Sequence, residues 1–547
     1  MPTLNWLDRN NSLKTAVKVP CRVLREVVDL SYGDKTSGNM LIEGDNLHAL
    51  KALMPYYRGQ VKCIFIDPPF NTQQAFEHYQ DSLEHSQWLG MIYPRLELLR
   101  DLLSEDGSFF IHLNDDELDY CKVILDEIFG RKNFINRIVV EARSPSAFST
   151  VNSGIFKASE YILWYAKNKT NFAEKNVRIA RKPDYAYNKW IKNPEDSFQN
   201  WQIISLLEAY LATTQSKSKH PETRLQHFDE FIINNSSRIC RFASISDSGA
   251  GEAIINLKKS SLIQPERIFK LQRTGGLDDI YILNGQQIIF YEKNVVDIDG
   301  KITSSAILTN VWKDIAWEGI ANEGMVTFKK GKKPEKLVRR CVEITTNEGD
   351  LVLDSFLGSG TTAAVAHKMG RRYIGIEMGE HARSHCAARL KKVVDGEQGG
   401  ISKVVNWVGG GGFRFYQLGG ELFDKTGQIN PQVRFCDLAA YIWFAETRTP
   451  WAGQADTAQQ QTPLLGVHDE TAYYLLYNGI LKDNSPNGGN IITHAVLQNL
   501  PPYKGKRVIY ANGVRLGEKA MMQANIIFKP IPWAMNTLGK NLGKVRK

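Results

Sequence analysis

Residues 63–72 read CIFIDPPFNT, an apolar run that meets an acid, two prolines and an aromatic. Two prolines lock φ twice and remove two backbone donors, so Asp67-Pro68-Pro69-Phe70 must end the strand that precedes it. The segment suits more than a turn. An aspartate at the carboxyl end of a parallel strand can accept a hydrogen bond from an exocyclic amino group, and a rigid proline carbonyl can accept the second. An aromatic beside them can stack on a planar base. Asp67, Pro68, Pro69 and Phe70 are therefore candidate catalytic residues, able to hold an amino nitrogen while its lone pair attacks a methyl sulfonium. Read alone, the same four residues are also an ordinary strand-ending turn.

A second stretch, VLDSFLGSGTTAA at 352–364, has the form strand, glycine turn, helix. The strand ends at Asp354, Gly358 and Gly360 flank Ser359 in the turn, and a helix opens at Thr361-Thr362. Small residues there let the backbone approach an adenosyl ligand, and the helix start offers free N–H groups. Glu377, 17 residues beyond Gly360, ends the next strand, where an acid can hold ribose hydroxyls. A dinucleotide site would use similar geometry, and so would a plain strand–turn–helix. A P-loop is excluded because no Lys-Ser/Thr follows the glycines.

These loops need a frame. NMLIEG (39–44) and VKCIFID (61–67) read as strands around a helix that Asp45 caps and Gly59 stops, which is a β-α-β unit. SQWLGMIYPRLELLRDLLSEDG reads as a helix that Pro94 kinks or divides, with a turn at Asp106-Gly107 into SFFIHL. DDELDYCKVILDEIFG follows as a capped helix ending in glycine. Residues from about 39 to 140 thus form half of a doubly wound α/β domain. The rhythm is lost over about 141–311 and resumes at 336–377. Four glycines at 409–412 suggest a flexible joint into a C-terminal α/β or mixed region, 401–547, suited to oligomer or partner contact.

The 547 residues, 43% hydrophobic, suffice for several domains, and no stretch matches a membrane span. The start lacks the apolar segment of a secretory signal. Seven cysteines without a CxxC pair indicate neither a disulfide framework nor zinc, and no metal site is expected; a cytoplasmic setting fits best. A net charge of +9 permits a polyanionic partner without demanding one. The run FKKGKKPEKLVRR (328–340) is either a solvated face or a phosphate contact.

Together the two loops resemble the hallmark motifs of the amino DNA methyltransferases that use S-adenosylmethionine: a [DNS]PP[YFW] catalytic loop, here Asp67-Pro68-Pro69-Phe70, and an FxGxG cofactor loop, here Phe356-Leu357-Gly358-Ser359-Gly360. The catalytic loop comes first by nearly three hundred residues. That order is similar to the permuted β-class, whose target recognition domain fills the gap. IDPPFNT, FFIHLNDDE, DEIFGRKNFI and EYILWYAKN resemble modification subunits of type III restriction–modification systems over about residues 40–400. The departures are Phe70 where tyrosine is common and Leu357 where alanine is.

The resemblance implies a seven-stranded, mostly parallel, circularly permuted Rossmann-like sheet. Its catalytic half would be 1–140, its recognition module 141–311 and its cofactor half 312–400. It implies S-adenosylmethionine held by Asp354, Phe356, Gly358, Ser359, Gly360, Thr361 and Glu377, with Asp45 lining the cofactor or base pocket and Lys333-Pro334 packed over the methionine moiety. It implies methylation of adenine N6 in double-stranded DNA after base flipping. Cytosine N4 is the alternative, as is a recognition subunit for a nuclease or translocase. The implied partners are duplex DNA, a helicase–nuclease restriction subunit and a second copy of the chain.

Overall fold

The computed structural model describes residues 3–71, 84–143, 155–214, 225–328, 331–449, 451, 462–477 and 489–531. It divides into two compact units, one of residues 1–175 and 310–547 and the other of Asn176–Thr309.

The first unit is built on one eleven-stranded sheet. In chain order its strands are β1 (Arg22–Glu26), β2 (Tyr32–Gly33), β3 (Met40–Glu43), β4 (Val61–Ile66), β5 (Leu103–Leu113), β6 (Phe134–Glu141), β7 (Ser159–Ala166), β8 (Val311–Trp312), β9 (Leu351–Asp354), β10 (Arg372–Glu377) and β11 (Gly412–Glu421). They lie in the order β1-β11-β3-β10-β9-β4-β5-β7-β6-β8, with β2 beside β11. The run from β3 to β6 is seven strands, as expected; β11, β1 and β2 extend one edge and β8 the other. Pairing is parallel from β11 through β5, and β7 runs antiparallel between β5 and β6. β7 lies within the 141–311 stretch yet belongs to this sheet.

The helices are α1 (Arg9–Lys18), α2 (Asn46–Tyr57), α3 (His85–Leu102), α4 (Asp115–Leu125), α5 (Glu335–Thr345), α6 (Thr361–Lys368) and α7 (Ala388–Val394). α1, α2, α3 and α4 pack as one group, and α5, α6 and α7 as another, the doubly wound arrangement. Strands covered on both faces read as continuous apolar runs, and in β4 Cys63, Ile64 and Ile66 are wholly buried.

Three local expectations change. α3 is not divided at Pro94, because Trp88, Leu89, Ile92, Leu96 and Leu99 bury its length and packing outweighs one lost ladder bond. The Asp106-Gly107 turn is a bulge inside β5: Val61 pairs with Leu103 while Cys63 pairs with Ser108. A Cβ on Gly107 would meet Val61 O at 2.9 Å, so only glycine fits. The glycines at 409–412 are no flexible joint. They form a packed turn into β11, where a Cβ on Gly409 would meet Val394 O at 2.9 Å and one on Gly411 would meet the His367 ring at the same distance.

Beyond β11, the described residues of the first unit add the helix Phe435–Thr447, a four-stranded sheet, a two-stranded pair and two short helices. Among its described residues the second unit holds a six-stranded antiparallel sheet, a three-stranded sheet and three α-helices. Its own apolar cluster includes Tyr187, Trp190, Phe228, Ile232 and Tyr291. Among the described residues no helix is long and apolar enough to cross a membrane. The basic segment 539–547 lies outside the described residues.

Candidate active site

The chain leaves β9 for β10 on one side and β4 for β5 on the other, so the β9/β4 boundary is where the winding reverses. In open α/β sheets the crevice at the carboxyl ends of such strands receives ligands. Val352 pairs with Cys63 across this boundary, which sets Asp354 and Asp67 at the two neighbouring strand ends. The loops that sequence placed nearly three hundred residues apart therefore meet.

Pro68 is buried behind Asp67, and the Pro69 carbonyl accepts a hydrogen bond from Trp88 Nε1 at 2.8 Å. Asn71, at φ 60°, closes the turn and donates to buried Glu117 on α4 at 2.6 Å. The clamp is thus tied to α3 and α4. Phe70 stands edge-on to His112 of β5, with ring centres 5.7 Å apart. Burial pushes Asp67 up to about 7; Lys333 opposes this and Glu160 adds to it.

Lys333 arrives from the loop before α5. Its Nζ lies 3.1 Å from Asp67 Oδ2 and 4.4 Å from the centre of the Phe70 ring. The ammonium thus engages the carboxylate and the aromatic face that the clamp would present to an amino group. Pro334 precedes α5 as its N-cap residue.

The glycine loop is held as tightly. Asp354 Oδ1 accepts from Phe356 N at 2.9 Å and Oδ2 from Thr362 Oγ at 2.6 Å. Burial pushes its carboxyl up to about 7. Glu377 Oε2 accepts from Gly358 N at 2.6 Å, joining the ends of β9 and β10. Gly358 and Gly360 have φ of 58° and 83°, the left-handed region that favours glycine. A Cβ on Gly358 would meet nothing within 4 Å, so this backbone faces open space beside the Glu377 carboxylate. Open space beside bare backbone and a carboxylate fits an adenosyl ligand. Ser359 and Thr361 turn inward, and Thr361 Oγ accepts from Arg389 at 2.8 Å.

Asp45 caps α2 by accepting from Leu47 N at 2.9 Å, and its other oxygen pairs with Arg95 at 3.2 Å. Its neighbour Asn46 donates to Ser355 O at 2.7 Å, which ties the helix start to the glycine loop.

Sequence reasoning passed over several participants. His112 and Glu160 approach Asp67 from β5 and β7; the signal was a histidine in the apolar run FFIHL and an acid at the head of EYILWYA. Glu335, Lys368 and Arg389 form a wholly buried ion cluster, with Arg389 and Lys368 at 2.7 and 2.9 Å from Glu335. Through Arg389 the cluster braces Thr361. The 328–340 run is largely internal: Lys332, Lys333 and Arg340 are buried, and Lys336 and Arg340 pair with Asp314 at 3.0 and 2.6 Å. Lys329 and Lys330 lie outside the described residues.

The chain is similar to known proteins. The family described as DNA methylase matches residues 61–387, from β4 to the helix before α7, and so takes in both loops. The chain is 36% identical over 427 residues to the "Probable type III restriction-modification enzyme HindVI Mod subunit" of Haemophilus influenzae, covering 73% of this chain and 56% of that protein. It is 25% identical over 428 residues to the EcoP15I Mod subunit of Escherichia coli, covering 68% and 62%, and 28% over 412 residues to the EcoPI Mod subunit of Escherichia phage P1, covering 67% and 61%. The chain thus spans between 56% and 62% of the length of these relatives. With the family match running over more than half of its length and through both strand-end loops, this chain belongs to the DNA methylase family.

Proposed function

We propose that the chain methylates adenine N6 in double-stranded DNA, with S-adenosylmethionine as methyl donor, as the modification subunit of a type III restriction–modification system. The observation that carries the reading is the meeting of Asp67 and Asp354 at neighbouring parallel strand ends, at the point where the sheet reverses its winding.

S-adenosylmethionine would supply an electrophilic methyl group. Glu377 would take the ribose hydroxyls, Gly358 to Thr361 would line the adenosyl moiety, and Asp354 would keep that loop in shape through Phe356 N and Thr362. Asp67 and the Pro68 carbonyl would hold the two hydrogens of a flipped amino group, aiming its lone pair, while Phe70 stacks on the base. Lys333 must withdraw from Asp67 for the amino group to enter. Proximity and orientation do the work in such a site. Adenine is preferred to cytosine because an aspartate opens the clamp. Asn176–Thr309 is the region suited to target recognition, a helicase–nuclease subunit is the expected partner, and the chain is expected to pair with a second copy.

Incubation with tritiated S-adenosylmethionine and duplex DNA, followed by nucleoside mass spectrometry, tests this. N6-methyladenine that vanishes with Asp67→Ala is expected. N4-methylcytosine would favour the alternative base, and no labelled DNA would reject the activity.

A further inference from the structure

His112 stands between two carboxylates. Its Nδ1 is 3.6 Å from Asp67 Oδ1 and its Nε2 is 3.2 Å from Glu160 Oε2. All four atoms are buried, and none makes a hydrogen bond. The sheet itself creates this line. His112 pairs with Ile162 across β5 and β7, and Glu160, two residues along β7, shares that face.

Counting protons shows what the line lacks. A neutral imidazole has one N–H, yet both of its nitrogens face carboxylate oxygens, so in either tautomer one lone pair confronts an acid oxygen. One more proton, placed on Asp67 Oδ1, would satisfy every member: Glu160 would accept from Nε2–H, and Nδ1 would accept from Asp67. Methylation of an amino group releases one proton.

We propose that His112, oriented by Glu160, is the positioning residue that lets Asp67 take up the proton lost by the methylated amino group. The inference rests on the methyltransferase reading of the clamp. In the step, the amino lone pair forms the N–C bond to the methyl carbon, the C–S bond breaks with its electrons passing to sulfur, and the N–H proton goes to the Asp67 carboxylate. His112 Nδ1 then accepts the Asp67 O–H hydrogen bond while Glu160 holds Nε2–H. The other groups facing this line are Lys333, 3.1 Å from Asp67 and 3.9 Å from Glu160, Arg143, 3.8 Å from Glu160, and Asp354, with the rings of Phe70 and Trp317 beside the imidazole. Burial and Lys333 hold the imidazole well below its usual range, so it stays neutral and remains an acceptor.

The test uses the full chain, tritiated S-adenosylmethionine and random-sequence duplex DNA. It measures single-turnover rates against pH, and steady-state KM for the DNA, for His112→Phe, Glu160→Leu and Glu160→Gln. His112→Phe and Glu160→Leu are each expected to slow transfer about 100-fold, leave KM within about twofold and move the acidic limb of the pH profile downward. Glu160→Gln should recover most of the rate, because an amide oxygen still accepts from Nε2–H. Wild-type rate and profile in His112→Phe would overturn the proposal, as would equal losses in Glu160→Gln and Glu160→Leu. Should His112→Phe fail to fold by circular dichroism, the two Glu160 variants decide alone. Absence of transfer by the wild-type chain would instead reject the methyltransferase reading itself.

Discussion

Asp67 must be ionised to take a proton, yet its burial favours the neutral form and holds it up at about 7. The rate of methyl transfer should therefore rise with pH through about 7 and then level off. Lys333 is the nearest opposing charge, so Lys333→Met should shift that rise to higher pH, a direction single-turnover assays can read. The same shift has a stability consequence of opposite sense. A carboxyl whose folded pKa is raised contributes stability at low pH that is lost as pH rises through the folded value, here about 7 for both Asp67 and Asp354. Asp67→Asn should therefore gain more in Tm over the wild type at about pH 8 than at about pH 5.5, measured by calorimetry. The clamp itself was legible in the sequence because proline and aromatic chemistry is local. The His112–Glu160 line was not, since residues 48 positions apart become neighbours only once β7 inserts antiparallel beside β5.

At the scale of elements, the glycine loop depends on charges that never reach solvent. Glu335 opens α5 with no exposure and receives Lys368 and Arg389. Glu335→Gln removes the anion that Lys368 and Arg389 share, leaving Lys368 to Glu397 and Arg389 to the more distant Glu323, and should cost about 3 kcal/mol in urea unfolding. It should also weaken methyl-donor binding, because Arg389 then loses its bearing on Thr361. Asp45→Ala removes the α2 cap and should cost about 1 kcal/mol in the same measurement. Helix starts, strand ends and the β-α-β rhythm could be read from capping residues and apolar runs. The β5 bulge, the undivided α3 and the packed glycine turn could not. Each is decided by what lies across from it, whether Val61 O, the helix neighbours or Val394 O.

In the whole molecule the chain breaks twice, at 175/176 and 309/310, to make the Asn176–Thr309 unit. That unit has its own aromatic cluster, so expressed alone it should unfold cooperatively by circular dichroism. A chain in which residues 176–309 are replaced by a short Gly/Ser linker should keep methyl-donor binding and lose site-selective methylation. Retained selectivity would move recognition elsewhere. The break at 175/176 was not legible, because β7 reads as a strand without showing which sheet it joins. The central claim is that Asp67 and the glycine loop form one amino-methylating site. Methylation-sensitive sequencing of DNA from cells expressing the wild-type chain or Asp67→Ala tests it most directly. N6-methyladenine at a single recurring sequence is expected with the wild type and none with Asp67→Ala; no modified amino group, or the same pattern with both, would refute a shared site.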